Sequence, residues 1–544
     1  MSASANIAKY LPLMAARQPV RPALKIPRGR TTSGDIDYLT LSFAELDAEV
    51  DAWACYLRTR GVNAGDRTLV MVRQGLPLIA AAFALFKIGA VPIVIDPGMG
   101  LKSFLGCVAR SRPRVLLGIP FAQLVSRVAR GSFHSVELRI KASGNPLSRM
   151  VSVRGAPNPE SVPVERCSTD LAAVLFTSGS TGAPKGVCYE HGMFDAQIRL
   201  IRETYEIEPG EIDLPMLPIF ALFNPALGMT TVVPEIDPSK PATVDPAKIV
   251  QAIQQERVTN SFGSPTLWDK IANHCVARGI ALPSLKRVLC AGAPVPATLW
   301  KKSKRLLPNG RLHSPYGATE SLPVSTISAD EIDGDSIRGA CVGKPVRGID
   351  VKIIAITDAP ITTLTDAREL PPGEIGEIIV RGPVVTKMYD VLPEATAAAK
   401  IRNGSDEIWH RMGDCGYRDG NGRLWFCGRK AERIKTANTV YFTEPCEQVF
   451  RTVPGVMRCA LIGLGKRGAE VPALVVQPAP KTSAAELRLI ATALRERARQ
   501  HPHTEEVKYY YFHPDFPVDV RHNAKIHRLA LAKWASTAKA HEIP

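Results

Sequence analysis

Ten consecutive residues carry the densest chemistry in this 544-residue chain. Thr177, Ser178, Gly179, Ser180, Thr181 and Gly182 run into Ala183, Pro184, Lys185 and Gly186, directly after an apolar stretch at 172–176. Glycines let backbone N–H groups approach an anion closely, and hydroxyls and an ammonium add further donors. The pattern predicts a phosphate-cradling loop at the end of a buried strand. It is not a Walker A loop, because Lys185 stands between Pro184 and Gly186 rather than in a Gly-Lys-Ser/Thr ending. Tyr316, Gly317, Ala318, Thr319 and Glu320 set an aromatic face beside a carboxylate. An aromatic face suits a nucleobase and a hard carboxylate oxygen suits a hard cation.

Groups like these need rigid elements to hold them. Residues 43–60 show apolar positions at helical spacing, followed by a turn over 61–66 and a β-branched run at 68–72. A helix over 78–88, a strand over 91–95 and a further strand at 114–118 continue the alternation. This predicts an α/β fold whose largely parallel sheet is covered by helices. The polar stretch 141–170 reads as a surface connection. Residues 247–288 repeat the pattern, with strands near 259–262 and 286–290. From 339 to 381 short runs, 350–356 and 374–380, predict a smaller β-unit. Beyond 429, helices are expected over 444–451 and 484–499, and strands over 461–464 and 473–477.

A single core stops growing near roughly 250–300 residues. The predicted organisation is therefore a large, multi-layer N-terminal domain over 1–430 and a small α+β C-terminal domain over 431–544. Apolar residues make up 45% and charged residues 22%, an ordinary globular balance. Lys and Arg number 68 against 52 Asp and Glu, a formal +16. With no nucleic-acid motif and 6% aromatics, the excess reads as a basic enzyme with anionic ligands, and no nucleic-acid partner is expected. Eleven cysteines stand singly without metal spacing, which fits a reducing cytoplasm. Residues 1–18 lack a signal-peptide pattern, and the most apolar stretch, 76–95, is interrupted by Lys87, Gly89 and Pro92, so no transmembrane segment is expected.

The loop at 177–186, with His191 shortly after, resembles the phosphate loop of the adenylate-forming superfamily of acyl-CoA synthetases, luciferases and peptide-synthetase adenylation domains. Further motifs follow in that family's order. Gly292, Ala293 and Pro294 resemble the turn lining its adenine pocket, and residues 316–320 its aromatic-Gly-x-Thr-Glu segment. Gly413 and Asp414, the turn 419–422 and the triplet Gly428, Arg429, Lys430 resemble its ribose-binding and hinge motif. Residues 521–528 resemble the segment that bears its adenylation lysine, here Lys525. The resemblance implies that the chain uses ATP and Mg²⁺. Tyr316 is then expected to stack on adenine, Thr319 to contact phosphate and Glu320 to hold Mg²⁺. Asp414 is expected to accept from the ribose hydroxyls and Arg429 to contact ribose or phosphate. Lys525 is expected to bridge the substrate carboxylate and the α-phosphate. It also implies a C-terminal domain that rotates over an active site between the domains.

Three positions depart from the thioester-forming pattern. Ala431 stands where the hinge usually has Asp or Lys, residues 436–439 (Thr-Ala-Asn-Thr) replace a Gly-Gly turn, and Ala221 replaces a His common in CoA ligases. With residues 96–100 and 425–430, these variants resemble the OleC branch of olefin β-lactone synthetases. That branch implies a long-chain 2-alkyl-3-hydroxy acid whose own 3-hydroxyl takes the acyl group; His191 is a candidate base or orienting group for that hydroxyl, with a structural histidine as the alternative. It also implies assembly with other olefin-pathway enzymes: a thiolase-like condensing enzyme, a reductase and a decarboxylase. A medium- or long-chain acyl-CoA synthetase is the alternative. Phe220, Leu222, Phe223, Leu227 and Met229, with the turn 263–265, are candidate walls for the acyl tails.

Overall fold

The strands either side of the phosphate loop belong to a six-stranded sheet. Its spatial order is Leu138–Lys141, Val115–Gly118, Arg67–Met71, Val91–Val94, Leu171–Phe176 and Gly186–Glu190. The first five are parallel and the last is antiparallel. These coordinates are a computed structural model that describes residues 4–149, 162–176, 183–237, 240, 243–332, 338–404, 407–519 and 525–543.

Short buried parallel strands need helical crossovers, and the sequence supplies them. Helix Phe43–Thr59 starts at a capping box: the Ser42 hydroxyl accepts from the Glu45 amide and the Glu45 carboxylate accepts from the Ser42 amide. Helix Leu76–Lys87 is apolar on nearly every side and buried accordingly. Its one cation, Lys87, is 2% exposed and held by Asp51 and Asp47.

A second sheet of 14 strands holds the other half of the site. At its centre Thr230–Val232, Ile212–Pro215, Asn260–Gly263, Arg287–Cys290 and Arg311–Ala318 run parallel. From Arg311–Ala318 outward every pairing is antiparallel, through Ser321–Ser328, Ala340–Pro345, Leu424–Arg429, Glu407–Arg418, Gly376–Arg381 and Asp350–Ile354. The small β-unit expected at 339–381 is thus the antiparallel flank of this sheet.

Among the described residues, strands after Lys430 pair only with one another. Val456–Leu464, Val471–Pro478, Tyr509–Phe512 and His541–Glu542 form a sheet, accompanied by helices Thr443–Phe450, Ala484–Arg499 and Arg528–Ala535. A separate core of Val449, Phe450, Leu461, Leu474, Leu494 and Tyr510 lies within this part. No helix among the described residues is long and apolar enough to cross a membrane.

Candidate active site

The parallel centre of the large sheet brings four loops to one edge, since parallel strands all end on the same side. These loops follow Pro215, Gly263, Cys290 and Ala318. In open α/β sheets ligands sit at such carboxyl ends. Gly292, Ala293 and Pro294 lie in the third loop, with Gly292 at φ 101°, and Thr319 and Glu320 form the turn between strand Arg311–Ala318, which carries Tyr316, and strand Ser321–Ser328.

Asp414 and Arg429 are brought together by register. They are directly opposed partners in the antiparallel pair Glu407–Arg418 and Leu424–Arg429. Arg429 Nη1 stands 2.9 Å from Asp414 Oδ1, and the Tyr316 hydroxyl donates to Asp414 Oδ2 at 2.7 Å. Burial pushes the Asp414 carboxyl up, while Arg429, Tyr316 and Lys525 pull it back. Asp414 in turn keeps Arg429 protonated. Gly428 sits at φ 127°, and a side chain there would collide with the Thr443 hydroxyl at 2.3 Å. Asp414, the Tyr316 ring and Arg429 therefore form one cluster at the seam with the C-terminal part.

A second cluster carries Lys185 and Glu320. Lys185 precedes strand Gly186–Glu190, and the segment 386–390 runs alongside it: Asp390 N–H donates to Gly186 O at 2.7 Å and Val187 bridges Tyr389. The Tyr389 ring lies under the Lys185 ammonium, 4.8 Å from ring centre, while its hydroxyl donates to Glu320 Oε1 at 2.8 Å. Thr386 fixes the Glu320 backbone through its amide (2.9 Å) and hydroxyl (3.1 Å), both donated to Glu320 O. The Tyr189 hydroxyl donates to Thr319 O. Behind this group lies Lys400, 7% exposed, whose amine donates to Thr386 O and Oγ1. Burial pushes Lys400 down to about 7; Glu320 raises it and Lys185 lowers it further.

Tyr389 and Lys400 are absent from the sequence expectations. A tyrosine 69 residues from the carboxylate it holds leaves no local pattern, and a lysine in a polar-looking run gives no sign of burial. Thr177, Ser178, Gly179, Ser180, Thr181 and Gly182 lie outside the described residues.

Lys525 is held by backbone pairing with Asp519. Its amide donates to Asp519 Oδ1 and its carbonyl accepts from the Asp519 amide, both at 3.0 Å, and Val518 bridges Ile526. Its ammonium is among the charges that lower the Asp414 carboxyl, after Arg429 and Tyr316.

His191 goes elsewhere. It is 1% exposed, its Nδ1 accepts from the Ile7 amide at 3.3 Å, and its ring packs edge-on against Phe86. Burial, helped by Arg166, lowers its pKa to about 4. An imidazole so enclosed packs the N-terminal segment, and it takes no part in the mechanism below. Leu227 and Met229 are likewise buried in a core with Ile198 and Tyr205, so they are packing residues and not tail walls. Phe220 and Phe223 are partly exposed, and Phe220 stacks on Phe262 with centroids 3.7 Å apart. A small cavity adjoins Ala221, lined also by Gly75, Ile79, Pro215, Pro218 and Val233.

One carboxylate beside a phosphate-loop lysine is the donor set that suits Mg²⁺, which binds through one or two carboxylates plus substrate phosphates. No cluster of three or more His, Cys, Asp or Glu occurs among the described residues, so an all-protein metal cage is not built there.

The chain belongs to the AMP-binding enzyme family, whose model matches residues 13–390. It is an AMP-forming ligase. It is 43% identical to the olefin beta-lactone synthetase of Xanthomonas campestris pv. campestris over 98% of both chains. It is also 43% identical to that of Stenotrophomonas maltophilia, over 98% of this chain and 99% of the relative. Among solved structures, ATP-bound MatB from Rhodopseudomonas palustris superposes with a TM-score of 0.78 at 21% identity, covering 98% of this chain and 99% of that one.

Proposed function

We propose that the enzyme uses ATP and Mg²⁺ to adenylate a long-chain 2-alkyl-3-hydroxy acid, then lets the 3-hydroxyl close a β-lactone with loss of AMP. The likeness to two olefin β-lactone synthetases along almost the whole chain carries this reading. Ala221 supports it, since it stands where CoA ligases commonly present a histidine.

In the first step the acid's carboxylate attacks the α-phosphorus of ATP and pyrophosphate leaves. Tyr316 offers its face to adenine, in the pocket formed with Gly292, Ala293 and Pro294, and Asp414 accepts from the ribose hydroxyls. Arg429 and Lys185 hold phosphate oxygens together with Thr319 and the loop 177–182. Lys525 meets the carboxylate and the α-phosphate, where charge builds in the transition state. Glu320 would hold Mg²⁺, which supplies charge neutralisation on the phosphates.

In the second step the 3-hydroxyl oxygen bonds to the acyl carbon, the acyl–phosphate C–O bond breaks, and the hydroxyl proton passes to the departing phosphate. Because nucleophile and acyl group share one molecule, the effective molarity can reach roughly 10⁵ M, which offsets the strain of a four-membered ring. The part of the chain after Lys430 is a unit that rotates between these steps, the protein works in the cytoplasm, and other enzymes of olefin formation are its partners.

Incubation with a racemic 2-alkyl-3-hydroxy acid, ATP and Mg²⁺ tests the reading. Lactone is expected without coenzyme A; a thioester formed only when coenzyme A is added would refute it. Lys525→Ala is expected to abolish acid-dependent exchange of labelled pyrophosphate into ATP while ATP still binds. Normal exchange by that variant would remove Lys525 from the mechanism.

A further inference from the structure

Helix Pro120–Val128 crosses from strand Val115–Gly118 to the edge strand Leu138–Lys141 of the six-stranded sheet. Its inner side is ordinary: Ala122 is buried, and Val125 packs against the cluster around Phe104 and Phe133. Its outer side is not. Phe121, Leu124 and Val128 are 67%, 58% and 79% exposed. Spacings of three and four residues put all three on one helix face. Isolated exposed apolar residues are common, but a phenylalanine, a leucine and a valine aligned on one short helix form a patch.

The charge around this patch is one-sided. Between residues 101 and 141 stand eight Lys and Arg against a single acid, Glu137, and that acid pairs with Arg114. Five of the cations, Lys102, Arg112, Arg127, Arg130 and Lys141, are exposed. Arg127 lies on the helix and Arg130 just past its end, with the Arg130 guanidinium donating to Arg127 O. Lys141 is in register with Gly118, two residues before the helix begins. The apolar edge is thus bracketed by cations at both ends.

We infer that this helix is a docking surface for an anionic phospholipid bilayer, with Phe121, Leu124 and Val128 entering the headgroup boundary while the cations meet lipid phosphates. Apolar edge and basic rim together are the signature of interfacial binding. A second copy of this chain would bring a like-charged face against this one, which opposes pairing. A nucleic acid would satisfy the cations but gain nothing from the apolar edge.

The same layer reaches the phosphate loop. Helix Leu101–Ser111 packs beside Pro120–Val128 in one cluster, and its Arg110 donates to Pro184 O, next to Lys185, at 2.8 Å. A bilayer-bound molecule therefore carries its activating site close to the membrane surface. The inference stands whether or not the lactone reading does.

Co-sedimentation of the full chain with vesicles tests it. The protein is expected to pellet with phosphatidylcholine vesicles that contain phosphatidylglycerol, not with phosphatidylcholine alone, and to be released by high salt. Phe121→Ser with Leu124→Ser and Val128→Ser, and separately Arg127→Glu with Arg130→Glu, are each expected to weaken binding by at least roughly tenfold. Both variants should unfold at the parent's temperature, because the altered side chains face solvent. A parent chain that stays in the supernatant with anionic vesicles, or binding that survives either set of substitutions, overturns the inference.

Discussion

Asp414 shows how much one carboxylate depends on its neighbours. It is 4% exposed, and its burial is tolerable because Tyr316 donates to one oxygen and Arg429 stands by the other. Asp414→Asn keeps the shape but removes the charge that Arg429 addresses and that the proposed ribose contact would use. Charge-assisted hydrogen bonds are worth about 1.5–3 kcal/mol each, so ATP affinity is expected to fall about 10- to 100-fold, measurable by calorimetry. Lys400 supports a different expectation. With the amine pushed down to about 7 among Glu320, Lys185, Tyr389 and His410, it is only partly charged near neutral pH. Bound triphosphate favours its charged form, so ATP binding above pH 7 should take up a proton and weaken as pH rises. Titrations in buffers of different ionisation enthalpy should show that uptake in the parent and not in Lys400→Met. Lys185, Glu320, Asp414 and Arg429 are legible in the sequence because short-range spacing marks them. Tyr389 and Lys400 are not, because only folding brings them to Glu320.

At the scale of elements, the helix Arg528–Ala535 ties the Lys525 loop to the rest of its unit. The Arg528 guanidinium reaches Glu447 at 2.7 and 2.8 Å and Glu432 at 3.0 Å, and Glu447 is fully buried. Arg451 contributes a second cation to Glu447 and Glu444. Removing one member of such a network strands a buried charge, a loss of about 3–5 kcal/mol. Arg528→Met is expected to lower the unfolding temperature of the C-terminal part and to depress pyrophosphate exchange, with ATP affinity little changed. The parallel strands and their helices follow from sequence alternation: 43–60 against Phe43–Thr59, 91–95 against Val91–Val94, 484–499 against Ala484–Arg499. The hairpin Pro22–Arg30 and Ile36–Ser42 does not, because proline, glycine and three cations break its alternation. The antiparallel flank is also invisible locally, since Ala340–Pro345 pairs with Leu424–Arg429 across some 80 residues.

For the molecule as a whole, buried histidines set the response to acid. Burial lowers His191 and His313 to about 4 and His410 well below its ordinary value. Between pH 6.5 and about 4 the unfolded chain takes up protons at these sites that the folded chain refuses, so stability falls as pH falls through that window. Asp213 and Asp47, raised by burial to about 7 and about 6, work in the opposite sense and offset two of the three. Unfolding midpoints are expected to drop on acidification from pH 7 to 4.5, and His313→Asn should make the drop shallower.

The residues after Arg429 are bolted down by charge. Lys430 pairs with Glu377 at 2.9 Å, while Arg433 grips both oxygens of Asp358 and Lys435 joins it at 3.0 Å. Asp358 is more than half exposed, so those last contacts face water and its ions. The rotation proposed above would require this carboxylate to be released first, and dissolved salt loosens the hold. On that proposal, ionic strength should act as a brake lever on turnover, dilute buffer favouring the clasped pose seen here and concentrated salt freeing the swing.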